Sequence, residues 1–169
     1  MFFVRSNEQS AFCCCCNHPL AVCGSRRRGY INNSGERKVL VIRRLYCQPC
    51  KRIHHELPDL LVPYKRYDRE SVESVLAGEG QEQVAADNST LSRWQGWFTD
   101  LSHHIYGGLL AVFNRFNKNF AESLDQLSGS LLQRICHLVG ARPGWLGRIV
   151  RTLVNMNLWV QTRSAFLTG

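Results

Sequence analysis

Two C-x-x-C pairs most constrain how this 169-residue chain can fold. The first pair is Cys13 and Cys16, and the second is Cys47 and Cys50. Each pair places two thiolates on one tight turn, and two such turns can converge into the tetrahedral four-sulfur shell that Zn²⁺ accepts readily. We therefore predict one structural Zn²⁺ bound by these four cysteines.

The choice of ligands at the first pair has nearby alternatives, namely Cys14, Cys15, Cys23 and His18. The pair Cys13 and Cys16 is favoured because only it has the two-residue gap that closes such a turn. Cys136 is expected to be a buried packing residue. Residues 1–10 have neither a basic start nor a long apolar run, so we expect a reducing, cytoplasmic compartment in which disulfides are rare.

The segment between the two pairs is predicted to be a β-hairpin. Residues 26–31 and 38–46 have strand-like composition, and Asn33, Ser34 and Gly35 form a turn between them. A hairpin brings its two ends together, so the 30 residues that separate Cys16 from Cys47 are no obstacle to a shared ion. We interpret residues 1–66 as a zinc ribbon. Its second strand is apolar on both faces at residues 39–42 and therefore needs cover from helices downstream.

Helical patterns begin at Asp68, which is predicted to cap a helix that ends at Gly78. A second short helix is predicted over residues 81–87, and Ser89 is predicted to cap a third that runs to about residue 100. Three short helices in this order are typical of a helix-turn-helix, so residues 67–101 are predicted to form a helix-turn-helix-like unit.

Residues 102–169 are predicted to be a C-terminal helical region, which makes the fold class α+β. Helices are expected over 103–116, 121–139 and 145–160, with Gly107 and Gly108 weakening the first or marking a boundary. The longest uncharged run, residues 101–114, is too short to span a bilayer, so no membrane partner is expected.

Charge is distributed unevenly along the chain, whose formal net charge is +8. Residues 1–66 carry a formal charge of +8, residues 68–100 carry −5, and residues 101–169 carry +5. Such a concentration of basic residues suits phosphate backbones, although some arginines at a strand edge serve only to deter strand pairing. The predicted nucleic-acid contacts are Arg26, Arg27, Arg28, Lys38, Arg43, Arg44, Lys51, Arg52, Lys65, Arg66 and Arg93. Of these, Arg93 on the third helix is the one plausible reader of guanine.

Several motifs together resemble a family of small bacterial proteins of unassigned function. The motifs are the two C-x-x-C pairs, the segments 24–26, 42–50 and 54–67, and the C-terminal runs 142–146 and 155–167. The family is similar to the N-terminal DNA-binding region of insertion-sequence transposases and tends to occur with mobile elements. It normally has Pro-x between the first two cysteines, where this chain has Cys14 and Cys15. The resemblance implies DNA as a partner, together with transposition proteins of the same element.

Enzymatic chemistry is not expected from these residues. Transposase catalysis needs three carboxylates around metal ions, and only Glu122 and Asp125 follow Asp100. The glycines lack the lysine and hydroxyl residues of a phosphate-binding loop. A second metal bound by the segment His54-His55-Glu56 is the remaining enzymatic alternative.

The leading hypothesis is therefore a zinc-dependent DNA-binding accessory or regulatory protein of a mobile element. The alternative is a protein-interaction adaptor, with a structural zinc knuckle and an acidic helical unit that docks a basic partner.

Overall fold

The computed structural model describes residues 2–4, 11–116, 129–159 and 165–167, and these form an α+β fold. The strands are β1 (Phe2–Val4), β2 (Ala21–Ile31), β3 (Arg37–Cys47), β4 (Arg52–Leu57) and β5 (Ala165–Leu167). The helices are α1 (Arg69–Ala77), α2 (Asn88–Phe116), α3 (Leu131–Val139) and α4 (Trp145–Asn155), with one turn of 3-10 helix at Gln81–Gln83.

The predicted hairpin is formed by β2 and β3, each eleven residues long. Asn32 begins the connecting turn, and its side-chain oxygen accepts hydrogen bonds from Glu36 N (2.8 Å) and Ser34 Oγ (2.9 Å). Gly35 follows in a left-handed conformation (φ 82°), which glycine adopts without strain. This local turn chemistry fixes the strand register, in which Arg26 lies opposite Ile42.

Strand β3 is the centre of the sheet, because both of its edges are paired. One edge carries β2, and the other carries β1 in parallel and β4 antiparallel. Strand β5 then pairs in parallel with β4. Leu40 and Ile42 of β3 are buried in the core shared with the helices, so the predicted cover is present on one face, whereas Val39 on the other face is 36% exposed.

Helix α1 confirms both predicted boundaries, whereas the two helices after it do not. The Asp68 carboxylate accepts from Ser71 N at 3.0 Å, and Gly78 ends the helix in a left-handed conformation. The helix predicted over residues 81–87 is only a single 3-10 turn. The third helix continues to Phe116, and Asp87 caps it instead of Ser89, accepting from Thr90 N at 2.7 Å. This arrangement does not confirm the predicted helix-turn-helix-like unit.

Of the two effects expected at Gly107 and Gly108, a weakened helix or a boundary, the boundary is absent, because α2 runs through both glycines. The reason is tertiary packing: a Cβ atom at Gly108 would lie 2.8 Å from Leu153 Cδ2 of α4. The glycine thus permits close approach of two helices. Helix α4 ends at Asn155, whereas the prediction extended it to residue 160. Of the helix predicted over 121–139, residues 121–128 fall outside the described residues, and α3 covers Leu131–Val139.

The sheet and the helices share one hydrophobic cluster. Its fully buried members include Ile42, Leu45, Leu109, Ile149 and Leu153. The carboxylate of Glu73 on α1 accepts from Gly144 N (3.0 Å) and Leu146 N (2.7 Å), so it caps α4, which has no capping side chain of its own. Among the described residues, no helix is both long and apolar enough to cross a lipid bilayer.

Candidate metal centre and basic surfaces

Four cysteines meet where the hairpin ends. Cys13 and Cys16 lie on the turn that precedes β2, Cys47 is the last residue of β3, and Cys50 lies on the turn before β4. Each pair is followed by a residue in the left-handed conformation, Asn17 after the first pair and Lys51 after the second. The structure thus brings together the same four cysteines that the spacing predicted.

The distances between the sulfur atoms fit a tetrahedral metal shell. All four Sγ atoms lie within 4.8 Å of one another. Cys13 Sγ is 3.9 Å from Cys50 Sγ, and Cys16 Sγ is 3.5 Å from Cys47 Sγ. A tetrahedral ion with metal–sulfur bonds of about 2.3 Å separates its ligands by about 3.8 Å. The group can therefore hold one metal ion without rearrangement of the backbone.

Electrostatics at the cluster favour thiolate at Cys13. Burial raises its pKa, but hydrogen bonds from the backbone of Cys15 and Cys16, together with the Cys47 side chain, lower it to about 7. The close approach of Cys16, followed by burial, raises the pKa of Cys50. Four thiolates this close together repel one another, and a divalent cation offsets that repulsion. Cysteines that bind a metal ion are therefore deprotonated.

His54 supports the cluster from β4. Its ring is fully buried, and Nε2 lies 3.4 Å from Cys13 Sγ. In the tautomer with the proton on Nε2, the ring donates a hydrogen bond to the sulfur and orients it, as residues around metal ligands commonly do. His55 points to the opposite face of β4, and Glu56 is bound by Arg43, so the three residues of this segment do not converge on one point.

The cysteines and the histidine that were considered as alternative ligands lie outside this group. The Sγ atom of Cys15 lies 3.9 Å from that of Cys14 and 3.8 Å from Asn157 Oδ1. Burial, followed by the neighbouring charge of Cys15, raises the pKa of Cys14 to about 12, which keeps it a thiol. Cys23 is exposed at an irregularity in the pairing of β2, and His18 is exposed as well. Cys136 is half-buried on α3.

One face of the sheet has a cavity of about 120 Å³ that is lined by two arginines, and we call it the arginine cavity. Arg26 and Arg28 line it from β2, and Arg44 lies opposite His55, which lines it from β4. Burial, followed by the charges of Arg26, Arg44 and Arg28, lowers the pKa of His55. None of the residues that line the cavity is acidic.

A second and larger cavity of about 550 Å³, the lysine cavity, is lined by the three basic residues Lys65, Arg66 and Arg93 and by one acidic residue, Asp87. Lys65 Nζ lies 3.8 Å from the centroid of the Trp97 ring, and burial together with Arg93 lowers its pKa to about 8. The Arg93 guanidinium is exposed and donates to Ser89 O and Thr90 Oγ1 of its own helix. Tyr64, which sequence reasoning did not single out, lines both cavities.

The other predicted contacts are dispersed. Arg43 forms a two-bond pair with the buried Glu56 carboxylate (2.5 and 2.6 Å), so its guanidinium is engaged within the fold. Lys38 pairs with Glu36 at 3.2 Å. Arg27 faces the opposite side of β2 from the arginine cavity, while Lys51 and Arg52 are exposed beside the second cysteine turn.

Comparison with known proteins gives one match. A family described as "Domain of unknown function (DUF6431)" matches residues 13–94, just under half of the chain. The matched segment includes all four clustered cysteines, both cavities and the first turns of α2. No curated protein and no solved structure matches the chain. The comparisons show no link to transposases or mobile elements.

Proposed function

We propose that this chain is a zinc-dependent DNA-binding protein. The observation that carries the proposal is the arginine cavity. Arg26 and Arg28 line a recess that no carboxylate lines, and the charge of Arg44 also acts on His55 there, although mutual repulsion makes such a cluster unfavourable in isolation. A phosphate backbone supplies the missing negative charge.

Zinc is the ion that we propose for the cysteine cluster. Four thiolates in tetrahedral positions suit Zn²⁺, which has no redox chemistry and is a common structural ion. Iron is the main competitor for a four-sulfur shell. Metal analysis of the purified protein distinguishes the two: zinc gives about one colourless equivalent per chain, whereas iron gives visible absorption.

The proposed contacts with DNA are the basic side chains around the two cavities. They are Arg26, Arg28, Arg44, Lys65, Arg66 and Arg93. We leave Arg43 out because Glu56 occupies its guanidinium. The lysine cavity lies beside the start of α2, which carries Arg93. We propose that Arg93 reads guanine from this position, without a helix-turn-helix.

The role that we propose is accessory or regulatory and non-enzymatic. A metal-stabilised sheet with basic recesses can bind DNA and hold it in position. The association with a mobile element rests on the sequence resemblance alone. A transposition protein of that element is the partner that the resemblance implies.

A protein adaptor is the second candidate. The observation in its favour is that Glu70, Glu79 and Glu82 are exposed on α1 and the segment after it, where a basic partner could dock. The two candidates differ in whether zinc-loaded protein binds DNA at all.

The deciding experiment is a titration of the zinc-loaded full chain with duplex DNA from 50 to 300 mM salt. Binding through phosphates gives an affinity that falls linearly on a log–log plot, with a slope of about −0.9 per contact. The double variant Arg26→Gln/Arg28→Gln should weaken binding and reduce the magnitude of the slope by about two. The matched control is Arg115→Gln/Arg142→Gln, which removes two exposed charges elsewhere. Absence of binding at 50 mM salt, both to this duplex and to a single strand of the same length, would favour the adaptor.

A further inference from the structure

Tyr64 has a backbone conformation that its side chain disfavours. Val62 O accepts from Lys65 N at 3.1 Å, so residues 62–65 form a turn with Pro63 in the second position and Tyr64 in the third. Tyr64 has φ 62°, a value that this third position often requires and that glycine supplies without strain. A bulky residue there is a true outlier, and such strain clusters at functional sites.

Packing does not explain why a tyrosine occupies this position. Its side chain is 68% exposed, the largest exposure of any large hydrophobic residue among those described. The ring therefore contributes little to the core, while its backbone is strained. A glycine would form the same turn at lower cost, so the fold alone gives no reason for the aromatic ring.

The place of Tyr64 between two basic recesses suggests a reason. Its ring borders the arginine cavity on one side and the lysine cavity on the other. Arg28 connects the two, since its side chain lies in the arginine cavity and donates to Lys65 O at 2.8 Å. An exposed aromatic ring flanked on both sides by positive charge is the arrangement with which proteins bind single-stranded nucleic acid.

We infer that Tyr64 stacks on an unpaired base of a nucleic-acid strand, whose phosphates are bound at the arginine cavity on one side and at Arg66 and Arg93 on the other. The inference rests on the proposed function and names its substrate class. In a duplex the faces of the bases are covered by their neighbours, so a protruding ring can stack only where a base is unpaired.

The size and charge of the arginine cavity favour a phosphate of a strand over a whole small ligand. The arginine cavity, about 120 Å³, is smaller than the 300–1,000 Å³ typical of ligand pockets, so it suits a phosphate better than a whole nucleotide. Repulsion among its arginines is relieved by an anion. A strand that crosses Tyr64 places phosphates at both recesses and a base at the ring between them.

The test compares a fluorescein-labelled single strand of twelve thymidines with a labelled twelve-base-pair duplex of two complementary strands, both titrated with zinc-loaded full chain at 50 mM salt. We expect the single strand to bind more tightly than the duplex. Tyr64→Gly should weaken binding of the single strand by about 5- to 100-fold and that of the duplex less than about twofold. Tyr64→Phe, which keeps the ring, should retain binding.

A second measurement separates a binding role from a structural one. Because glycine relieves the strained backbone, Tyr64→Gly should leave the thermal midpoint unchanged or raise it while affinity falls. The control Phe116→Ala removes another exposed ring (64%) far along α2 and should not change binding. If the duplex binds as tightly as the single strand, or Tyr64→Gly binds as wild type does, this inference is wrong and the proposed function stands. If neither probe binds, both fail.

Discussion

Removal of the metal should destabilise the chain without unfolding it completely. An ion bound by the cysteines links Cys16 to Cys47, which are 31 positions apart. In the chain-entropy treatment of cross-links, a loop of this length contributes about 4 kcal/mol at 25 °C. A typical domain has 5–15 kcal/mol of stability in all, so this is a substantial fraction. The shared hydrophobic cluster of sheet and helices remains when the ion is removed.

Thermal unfolding followed by circular dichroism gives the measurement. In a protein of this size each kcal/mol shifts the midpoint by about 2–4 °C, so a chelator should lower it by roughly 8–16 °C. Cys47→Ser should have the same low midpoint with and without chelator, because a buried ligand is lost. Cys23→Ser, which changes an exposed cysteine outside the cluster, should behave as wild type.

If Cys47→Ser and Cys23→Ser have equal midpoints and purify with equal metal content, the four sulfurs do not share an ion. The short distances between them would then reflect only the geometry of the hairpin.

Three further predictions test other parts of the structure. Gly108→Ala should lower the free energy of unfolding by about 1–3 kcal/mol in urea titrations, because its Cβ would lie 2.8 Å from Leu153 Cδ2. Gly107→Ala should raise it by about 0.5–1 kcal/mol, because a Cβ there meets no atom within 4 Å. Glu73→Gln should cost about 1–3 kcal/mol in the same assay, because the buried carboxylate that caps α4 is lost. The magnitude of the salt slope of DNA binding should fall by about one as pH rises through 8, because burial lowers the pKa of Lys65 to about 8 and its charge is lost above that value.

Local patterns predicted those parts of the fold that neighbouring residues determine. The hairpin follows from its turn residues, the start of α1 from the Asp68 cap, and the meeting of the cysteines from their spacing. The length of α2 could not be predicted in this way. Gly107 and Gly108 weaken a helix locally, and only the packing of α4 against Gly108 shows why they are accommodated.

The basic surface was harder to predict than the metal cluster, for a physical reason. A count of charges does not show which of them are already engaged within the fold. Arg43 pairs with Glu56, and Lys38 pairs with Glu36. The alternation of side chains along a strand predicts that Arg26 and Arg28 lie on one face of β2 and Arg27 on the other. Only the pairing of β3 with β4 shows that His55 lies on the same face of the sheet as Arg26 and Arg28.

Strands β3 and β4 carry parts of both sites, so the cysteine cluster and the arginine cavity share the same pair of strands. On β3, Cys47 follows Arg44 by three residues; on β4, His54 contacts Cys13 while His55 lies opposite Arg44. An ion that fixes the end of this strand pair therefore also fixes the positions of the charges around the cavity. It follows that chelation should weaken DNA binding even at temperatures where the chain stays folded. Equal affinities with and without the ion would mean that the two sites are independent.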